Sequence, residues 1–258
     1  YKDDIEAYNI WKNKVKIPLN KIFKMGKNTN FWEMGDTGPC GYCSEIYYDI
    51  EGGEEKEVKV EDIENNEDRF LEIWNLVFTE FDKKENGELK ELKYKNIDTG
   101  MGLERLATVS QGTLSNFEND LFMPIIHNIE KNISFFYGRD QKKDISFRVI
   151  ADHIRAIVFL IGDGVLPSNE GRGYILRRLI RRAIRHGFLL SFNEPFLYNL
   201  APVVIKIMED AYPELHDRKN YIIQIIKGEE EKFQITMNKG MAILNEEIKN
   251  IKEENKNA

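Results

Sequence analysis

The hydrophobic positions between residues 169 and 187 recur at the spacing of an α-helix. Apolar side chains occupy positions 175, 176, 179, 180, 183 and 184, and arginines occupy positions 177, 178, 181, 182 and 185. This pattern predicts a helix with one face in a core and the opposite face positively charged. Gly187 follows the last periodic positions, so we expect it to end the helix as its C′ residue.

Helical spacing continues through most of the chain after about residue 113. Amphipathic patterns predict helices at 119–131, 147–161, 195–210 and 219–252, the last of them longer than most helices of globular proteins. The second part of the chain, residues 113–258, is therefore predicted to be all-helical.

The first part of the chain, residues 1–112, shows the patterns of an antiparallel sheet. Strands are predicted at 21–25 and 44–50, with a glycine-containing loop over 26–41 between them. Residues 69–81 are apolar on both faces, which predicts a long central strand buried on both sides. Asn86-Gly87 is a hairpin turn signal, so the strand near 88–95 is expected to pair antiparallel with it. The fold class predicted for the whole chain is α+β.

Charge is distributed unevenly along the chain. The net charge of the 258 residues is -7, yet residues 139–187 hold 11 Lys and Arg against 5 Asp and Glu. A basic patch on an acidic protein is typical of a polyanion partner, and nucleic acid is the leading candidate. No apolar run approaches the roughly 18 residues of a membrane span, so no membrane partner is expected.

Cysteine usage and the first residue give two further expectations. Two cysteines among many Lys and Glu favour a reducing, cytoplasmic setting, although an organelle is an alternative. Because the sequence starts at Tyr1 without a signal-peptide pattern, we expect it to be excised from a longer polypeptide.

Residues 51–68 hold 9 acidic residues against 2 lysines, which favours a solvated surface insertion over a metal or basic-partner site.

A compact binding device is predicted where the sheet part passes into a helix at 103–110. Asp98 can hold an ammonium group, and Gly100 and Gly102 allow a ligand to approach the backbone closely. Arg105, on the first turn of that helix, favours phosphate together with the helix N-terminus. An ordinary structural turn is the alternative interpretation.

Three other polar features each have more than one interpretation. Asn75 interrupts an apolar strand, so it bonds either to neighbouring backbone or to a polar ligand. Cys40 and Cys43 form a CxxC pattern, but no nearby His supplies further zinc ligands, and a ligand-covering loop containing Trp32 fits better than a metal or redox site. His153 is either a packing or surface histidine or a functional one.

These segments, taken in order, resemble the alanyl-tRNA synthetases, a family of class II aminoacyl-tRNA synthetases. The matching segments are 30–45, 72–78, 98–106, 147–155 and 164–187. The resemblance covers nearly the whole chain, and the segment at 98–105 is similar to the third class-defining motif of that family. It implies that residues 1–112 are the C-terminal part of a class II aminoacylation domain. Residues 113–258 would be part of a helical domain that recognises the tRNA acceptor stem.

The resemblance also implies roles for individual residues in activating L-alanine with ATP and Mg²⁺. Asp98 would bind the alanine ammonium group, and Arg105 would clamp the γ-phosphate of ATP. The remaining residues would line the alanine pocket or shape its floor; they are Trp32, Asn75, Val77, Gly100 and Gly102. No zinc is expected in this part of the enzyme.

For the arginine helix, the resemblance implies contact with the acceptor stem of an alanine tRNA. Asn169 would read the G·U wobble pair of the stem, and arginines around it would hold phosphates; these are Arg172, Arg177, Arg178 and Arg181. The residue types fit this division, because an amide specifies a base edge while arginines position the backbone. A DNA-binding function is not expected, because it would leave residues 30–105 unexplained.

Two departures from the family pattern affect the expected activity. The first two class motifs would lie before Tyr1, and the editing and C-terminal domains are also missing, so we expect the chain alone to be a weak or inactive catalyst. The missing second motif normally pairs with the strand that carries Asn75, so without it the sheet is expected to expose unpaired edges. The alternative function is a non-catalytic synthetase-like module that binds RNA or a partner protein.

Overall fold

The computed structural model describes residues 1–52, 58–66 and 69–254. The chain forms two compact units, Tyr1–Asn119 and Asp120–Ala258. The first contains an antiparallel sheet, and the described residues of the second contain helices and no strand. None of the helices in the described part of the chain is long and apolar enough to cross a bilayer.

The described residues of the first unit form four strands and several short helices. The strands are β1 (Phe31–Glu33), β2 (Gly38–Asp49), β3 (Phe70–Lys83) and β4 (Leu89–Met101). The α-helices are α1 (Ile5–Asn9), α2 (Lys27–Asn30), α3 (Val60–Asn65) and α4 (Leu103–Gln111). A π-helical segment, Ile10–Val15, extends α1, and a 3-10 turn occupies Leu19–Lys21.

The sheet has the order β1-β2-β3-β4, and every neighbouring pair is antiparallel. The predicted hairpin between β3 and β4 is confirmed: Gly87 has a φ of 82° at the turn, and the Asn86 side chain accepts the Glu88 N–H. The central position of β3 is also confirmed. The strand that carries Asn75 has a partner on each side, so the edges of the sheet among the described residues are β1 and β4 and not β3.

Some local predictions for the first unit are wrong. Residues 21–25 form no strand, and the predicted loop at 26–41 contains α2, β1 and the start of β2. The strand β3 is not buried on both faces, since Phe70 is its one fully buried residue. The sequence pattern showed which residues of β3 are apolar, but few side chains of this unit cover the two faces of the sheet.

The acidic segment at 51–68 contributes to the core of the first unit. Its described residues 58–66 include α3, and Ile63 packs against Met25 and Phe70 in a small apolar cluster. The acidic residues of α3 are exposed, as a solvated surface insertion requires, and only Ile63 of this helix is buried. For residues 53–57 and 67–68 the prediction lies outside the described residues.

The second unit is built around three long helices. The α-helices are α5 (Met123–Glu130), α6 (Gln141–Gly162), α7 (Gly171–Leu189), α8 (Ala201–Met208), α9 (Glu214–Asp217) and α10 (Lys219–Glu254). A 3-10 turn, Leu197–Leu200, precedes α8, so the single helix predicted at 195–210 is divided in two. Apolar faces of α6, α7 and α10 supply many of the fully buried side chains, as their spacing predicts.

Gly187 does not end the arginine helix. The helix continues to Leu189, and it is Ser191, beyond its end, that has a positive φ, 70°. Gly187 is buried inside the helix, and a Cβ there would lie 2.1 Å from Cε1 of the Phe196 ring. Gly187 is therefore a glycine that allows close packing against Phe196, and it does not cap the helix.

A buried carboxylate connects α10 to the turn before α8. Glu230 has no exposed surface, and its Oε1 accepts the N–H groups of Phe196 and Leu197, both at 2.8 Å. Its Oε2 accepts the Tyr198 N–H at 3.2 Å. These three bonds satisfy backbone donors at the start of the 3-10 turn that would otherwise be unpaired.

We expect Gly187→Ala to lower the free energy of unfolding by about 1–3 kcal/mol, because the added methyl group overpacks the site. The Phe196 ring cannot move away freely, since it stacks on Phe192 and its backbone N–H is bonded to Glu230. Urea unfolding followed by far-ultraviolet circular dichroism measures the change. Gly228→Ala is the matched control, because no atom lies within 4 Å of its added Cβ, and it should stabilise helix α10 by up to about 1 kcal/mol. Equal effects of the two changes would contradict the packing argument.

A second prediction concerns pH. Burial raises the pKa of the Glu230 carboxyl above its ordinary value of 4.5, in spite of the three N–H donors. The folded protein therefore binds more protons than the unfolded chain in the window above 4.5, and stability falls as pH rises through it. Glu230→Gln removes this titration. The stability difference, wild type minus Glu230→Gln, should decrease with rising pH in that window, and a difference independent of pH would refute the assignment.

Candidate functional site

Pairing between β3 and β4 brings four of the predicted site residues together. Asn75 lies opposite Gly100, and Val77 lies opposite Asp98. Directly paired residues of an antiparallel sheet point to the same face, and residues two apart on one strand share that face. All four residues therefore lie on one face of the sheet, which we call the pocket face.

Trp32 belongs to the same face although it comes from the edge strand β1. It pairs with Gly41 of β2, and Gly41 lies two residues from Cys43, which is opposite Val77. The Trp32 indole Nε1 donates to the Phe78 carbonyl at 2.9 Å.

Gly41 makes that indole contact possible. A Cβ at Gly41 would lie 1.9 Å from the Phe78 oxygen, so only glycine fits there. The register shifts at this point, and two residues of β2 face three of β3. This irregularity exposes the Phe78 carbonyl to the indole across β2.

The Asn75 side chain belongs to a hydrogen-bond network centred on the Glu45 carboxylate. The Asn75 amide Nδ2 donates to Glu45 Oε1 at 3.3 Å, and the Tyr47 hydroxyl donates to Glu45 Oε2 at 2.7 Å. Burial raises the pKa of the Glu45 carboxyl, and the negative charge of Glu72 raises it further. Asn75 Oδ1 is buried and has no hydrogen-bond partner among the described residues. The Asn75 side chain thus has a protein partner for its donor nitrogen, and among the described residues it has none for its acceptor oxygen.

Arg105 is anchored at the N-terminal end of the same strand. Its Nη1 donates to the Glu72 carbonyl at 2.6 Å and lies 3.8 Å from Glu72 Oε2. Gly102 caps the N-terminus of α4, and a Cβ there would lie 3.3 Å from Arg105 Cδ. The Arg105 side chain is 43% exposed, so its guanidinium is accessible to an anion at the helix N-terminus.

The two cysteines are buried and free. Burial raises the pKa of the Cys43 thiol to about 11, so it is protonated at neutral pH. No group of three or more His, Cys, Asp or Glu in the described ranges is placed to hold a metal ion. The expectation that zinc is absent stays a prediction.

The arginines of α7 differ in what they contact. Arg172 and Arg178 are exposed, together with Arg182 and Arg185 on the same helix. Two other arginines, Arg177 and Arg181, form ion pairs with Glu229 of α10.

The loop before α7 positions Asn169. Asn169 is exposed, and its Oδ1 accepts a hydrogen bond from Arg177 Nη1. The structure therefore brings Asn169 and Arg177 into contact, and it leaves Arg172 and Arg178 accessible.

His153 of α6 is buried, and its Nδ1 lies 2.8 Å from Asp152 Oδ2. On the neighbouring helix α7, His186 Nδ1 lies 3.0 Å from the Ser146 hydroxyl of α6. The burial of His153 favours its packing interpretation, although its Nε2 has no hydrogen-bond partner among the described residues.

Sequence reasoning missed three acidic residues that organise these sites. Glu45 and Glu72 lie inside the segments that carried the family resemblance, and the alternation of Glu45 with apolar neighbours was the available signal. Glu229 lies in a run of three glutamates, 229–231, and the sequence gives no sign that two of the three are buried.

Comparison with known proteins gives one consistent result. The family model of class II (A) tRNA synthetases matches residues 1–258. An alanine--tRNA ligase of Natranaerobius thermophilus is 49% identical over 259 residues, covering 100% of this chain and 29% of that protein. Alanine--tRNA ligases of Carboxydothermus hydrogenoformans and Acetivibrio thermocellus are 51% and 52% identical, over 99% and 96% of this chain.

The chain spans 28–29% of the length of these relatives. The family match extends over both compact units, and identity near one half covers the segments from which the resemblance was inferred. The chain belongs to the class II (A) family of tRNA synthetases.

Proposed function

We propose that this chain supplies the alanine pocket and part of the tRNA-binding surface of an alanine-tRNA ligase. The observation that carries the proposal is the strand register, which gathers Trp32, Asn75, Val77, Asp98 and Gly100 on one face. The names of the relatives support alanine as the substrate.

The proposed chemistry has two steps. In the first, the alanine carboxylate attacks the α-phosphate of ATP, giving alanyl-adenylate and pyrophosphate. In the second, a terminal ribose hydroxyl of the tRNA attacks the alanyl carbonyl, and AMP leaves. The protein mainly positions reactants and stabilises charge in such a reaction.

Individual side chains have distinct roles in this proposal. Asp98 accepts the alanine ammonium group, while Gly100 and Gly102 let the ligand approach the main chain. Arg105 holds the γ-phosphate of ATP, and its bond to the Glu72 carbonyl fixes Nη1 while the side chain stays 43% exposed. Mg²⁺ enters with ATP as part of the substrate, sharing the phosphate charge.

The helical unit is proposed to bind the acceptor stem of tRNA(Ala). Asn169 reads the wobble pair, and four arginines provide positive charge around it; they are Arg172, Arg177, Arg178 and Arg181. In this proposal residues 1–112 belong to the aminoacylation domain and residues 113–258 to the tRNA-recognition domain. We also propose that the 258 residues alone are a weak or inactive catalyst, because they are less than a third of the length of the relatives. A cytoplasmic location stays a prediction.

Asp98→Asn should raise the KM for alanine in ATP–pyrophosphate exchange by about 10- to 150-fold, because a charged hydrogen bond to the ammonium group becomes a neutral one. Because the 258 residues alone are proposed to be weakly active or inactive, the exchange is measured on a form of the protein that catalyses it. Glu91→Gln is the control, since Glu91 is an exposed acidic residue of the same strand. An unchanged KM for alanine in Asp98→Asn would remove Asp98 from the pocket.

Arg178→Ala should weaken binding of cognate and non-cognate acceptor stems alike, because a phosphate contact carries no sequence information. The slope of log K against log salt should become shallower by about 0.7–0.9. Lys206→Ala removes an equal charge from α8, where the lysine side chain is 80% exposed, and should leave the slope unchanged. If both variants change the slope equally, binding depends on net charge and not on α7.

A further inference from the structure

We infer that Glu229 is a positioning residue for base-pair reading, acting on Asn169 through Arg177. The inference rests on the proposed function of Asn169 and adds a residue of α10 to the recognition of the acceptor stem. The chain of contacts runs from Glu229 to the Arg177 guanidinium and from there to the Asn169 amide.

The first link is a buried carboxylate that fixes two arginines. The Glu229 side chain is 6% exposed, and its Oε1 lies 3.0 Å from Arg177 Nε, an ion pair without the geometry of a hydrogen bond. The same oxygen lies 3.2 Å from Arg181 Nε and 3.1 Å from Arg181 Nη2. A carboxylate removed from water needs such partners, because an unpaired buried charge is strongly unfavourable. The two guanidinium groups are therefore held at defined positions against α10.

The second link sets the orientation of the Asn169 amide. Arg177 Nη1 donates to Asn169 Oδ1, so the amide oxygen is occupied by protein. A carboxamide has an accepting oxygen and a donating nitrogen. With the oxygen bonded to Arg177, the nitrogen is the group presented to RNA, and Asn169 reads acceptor atoms on a base edge.

The backbone of Asn169 is fixed independently of this relay. The loop at 166–168 lies against Gly173 in the first turn of α7, where a Cβ would come within 2.3 Å of the Leu166 oxygen and of Ser168 Oγ. The Ser168 hydroxyl also donates to the Glu170 carbonyl at 2.7 Å. Loss of Glu229 therefore releases the Asn169 side chain without releasing the loop that carries it.

This arrangement separates two tasks within one arginine helix. Arg177 and Arg181 both pair with Glu229, although Arg181 keeps 45% of its side chain exposed, whereas Arg172 and Arg178 are exposed and outside this pair. A change at Glu229 should accordingly alter discrimination between stems more than it alters overall affinity.

The test compares Glu229→Gln with its matched control Glu231→Gln, whose glutamate is 54% exposed on the same helix. Affinities are measured for two acceptor-stem RNA hairpins that differ only in a G·U or a G·C pair at the wobble position. Glu229→Gln should reduce the ratio of the two affinities about fivefold, while the affinity for the G·C hairpin stays nearly constant. Glu231→Gln should leave both affinities unchanged. A fall in both affinities by the same factor would overturn the inference, because it would show a merely structural role.

Asn169→Ala separates this inference from the proposed function. It should abolish discrimination, and Glu229→Gln should cause no further loss when combined with it. If Asn169→Ala leaves the ratio unchanged, wobble reading by Asn169 fails and the inference fails with it. If Asn169→Ala lowers the ratio and Glu229→Gln does not, only the inference is overturned.

Arg177→Lys covers the case in which Glu229→Gln does not fold. Lysine keeps the charge beside Glu229 but lacks the planar fork that joins Glu229 and Asn169 at once. It should lower the ratio of the G·U to the G·C affinity, and an unchanged ratio would contradict the relay.

Discussion

The pairing register between β3 and β4 determines which side chains meet on the sheet. Side chains alternate between faces with a period of two, so a slip of one residue would move Asp98 to the face opposite Asn75 and Val77. The Asn86-Gly87 turn fixes only the pairs next to it, such as Lys83–Leu89 and Phe81–Glu91. A register shift between Thr79 and Phe81 then sets the pairs of the pocket face. The proposed alanine pocket thus depends on an irregularity of the β3–β4 pair that lies between it and the turn.

Charge burial has a comparable organising role in the helical unit. Glu229 and Glu230 are neighbours on α10 and both are buried, yet their side chains contact different elements. Glu229 pairs with arginines of α7, and Glu230 accepts backbone donors at the 3-10 turn before α8. Successive helical residues point about 100° apart, so one dipeptide can hold two neighbouring segments. The long helix therefore orders its surroundings through polar contacts as well as through its apolar face.

The sequence predicted the features that depend on periodicity and on local turn chemistry. The β3–β4 hairpin, the central place of β3 and the long helices α6, α7 and α10 follow from such signals. The predictions that failed depend on contacts distant in sequence. Gly187 has the sequence signal of a helix end, and no residue next to it in the sequence indicates that it packs against the Phe196 ring. The candidate site was predicted in its parts, but the Glu45 network and the Glu229 pairs could not be, since acidic residues usually face solvent.

The contact between Trp32 and the Phe78 carbonyl restricts how the proposed pocket can be reshaped. When a side chain does nothing but line a pocket, a smaller residue in its place makes room for a larger amino acid. Here the wall also supplies the donor for a main-chain oxygen of β3, reached across the gap that Gly41 leaves in β2. Replacing Trp32 by a smaller residue would also remove the donor of the Phe78 carbonyl. It would thereby weaken β3, the strand that carries Asn75. Substrate size and sheet integrity are coupled at this residue, so a change in specificity has to begin elsewhere on the pocket face.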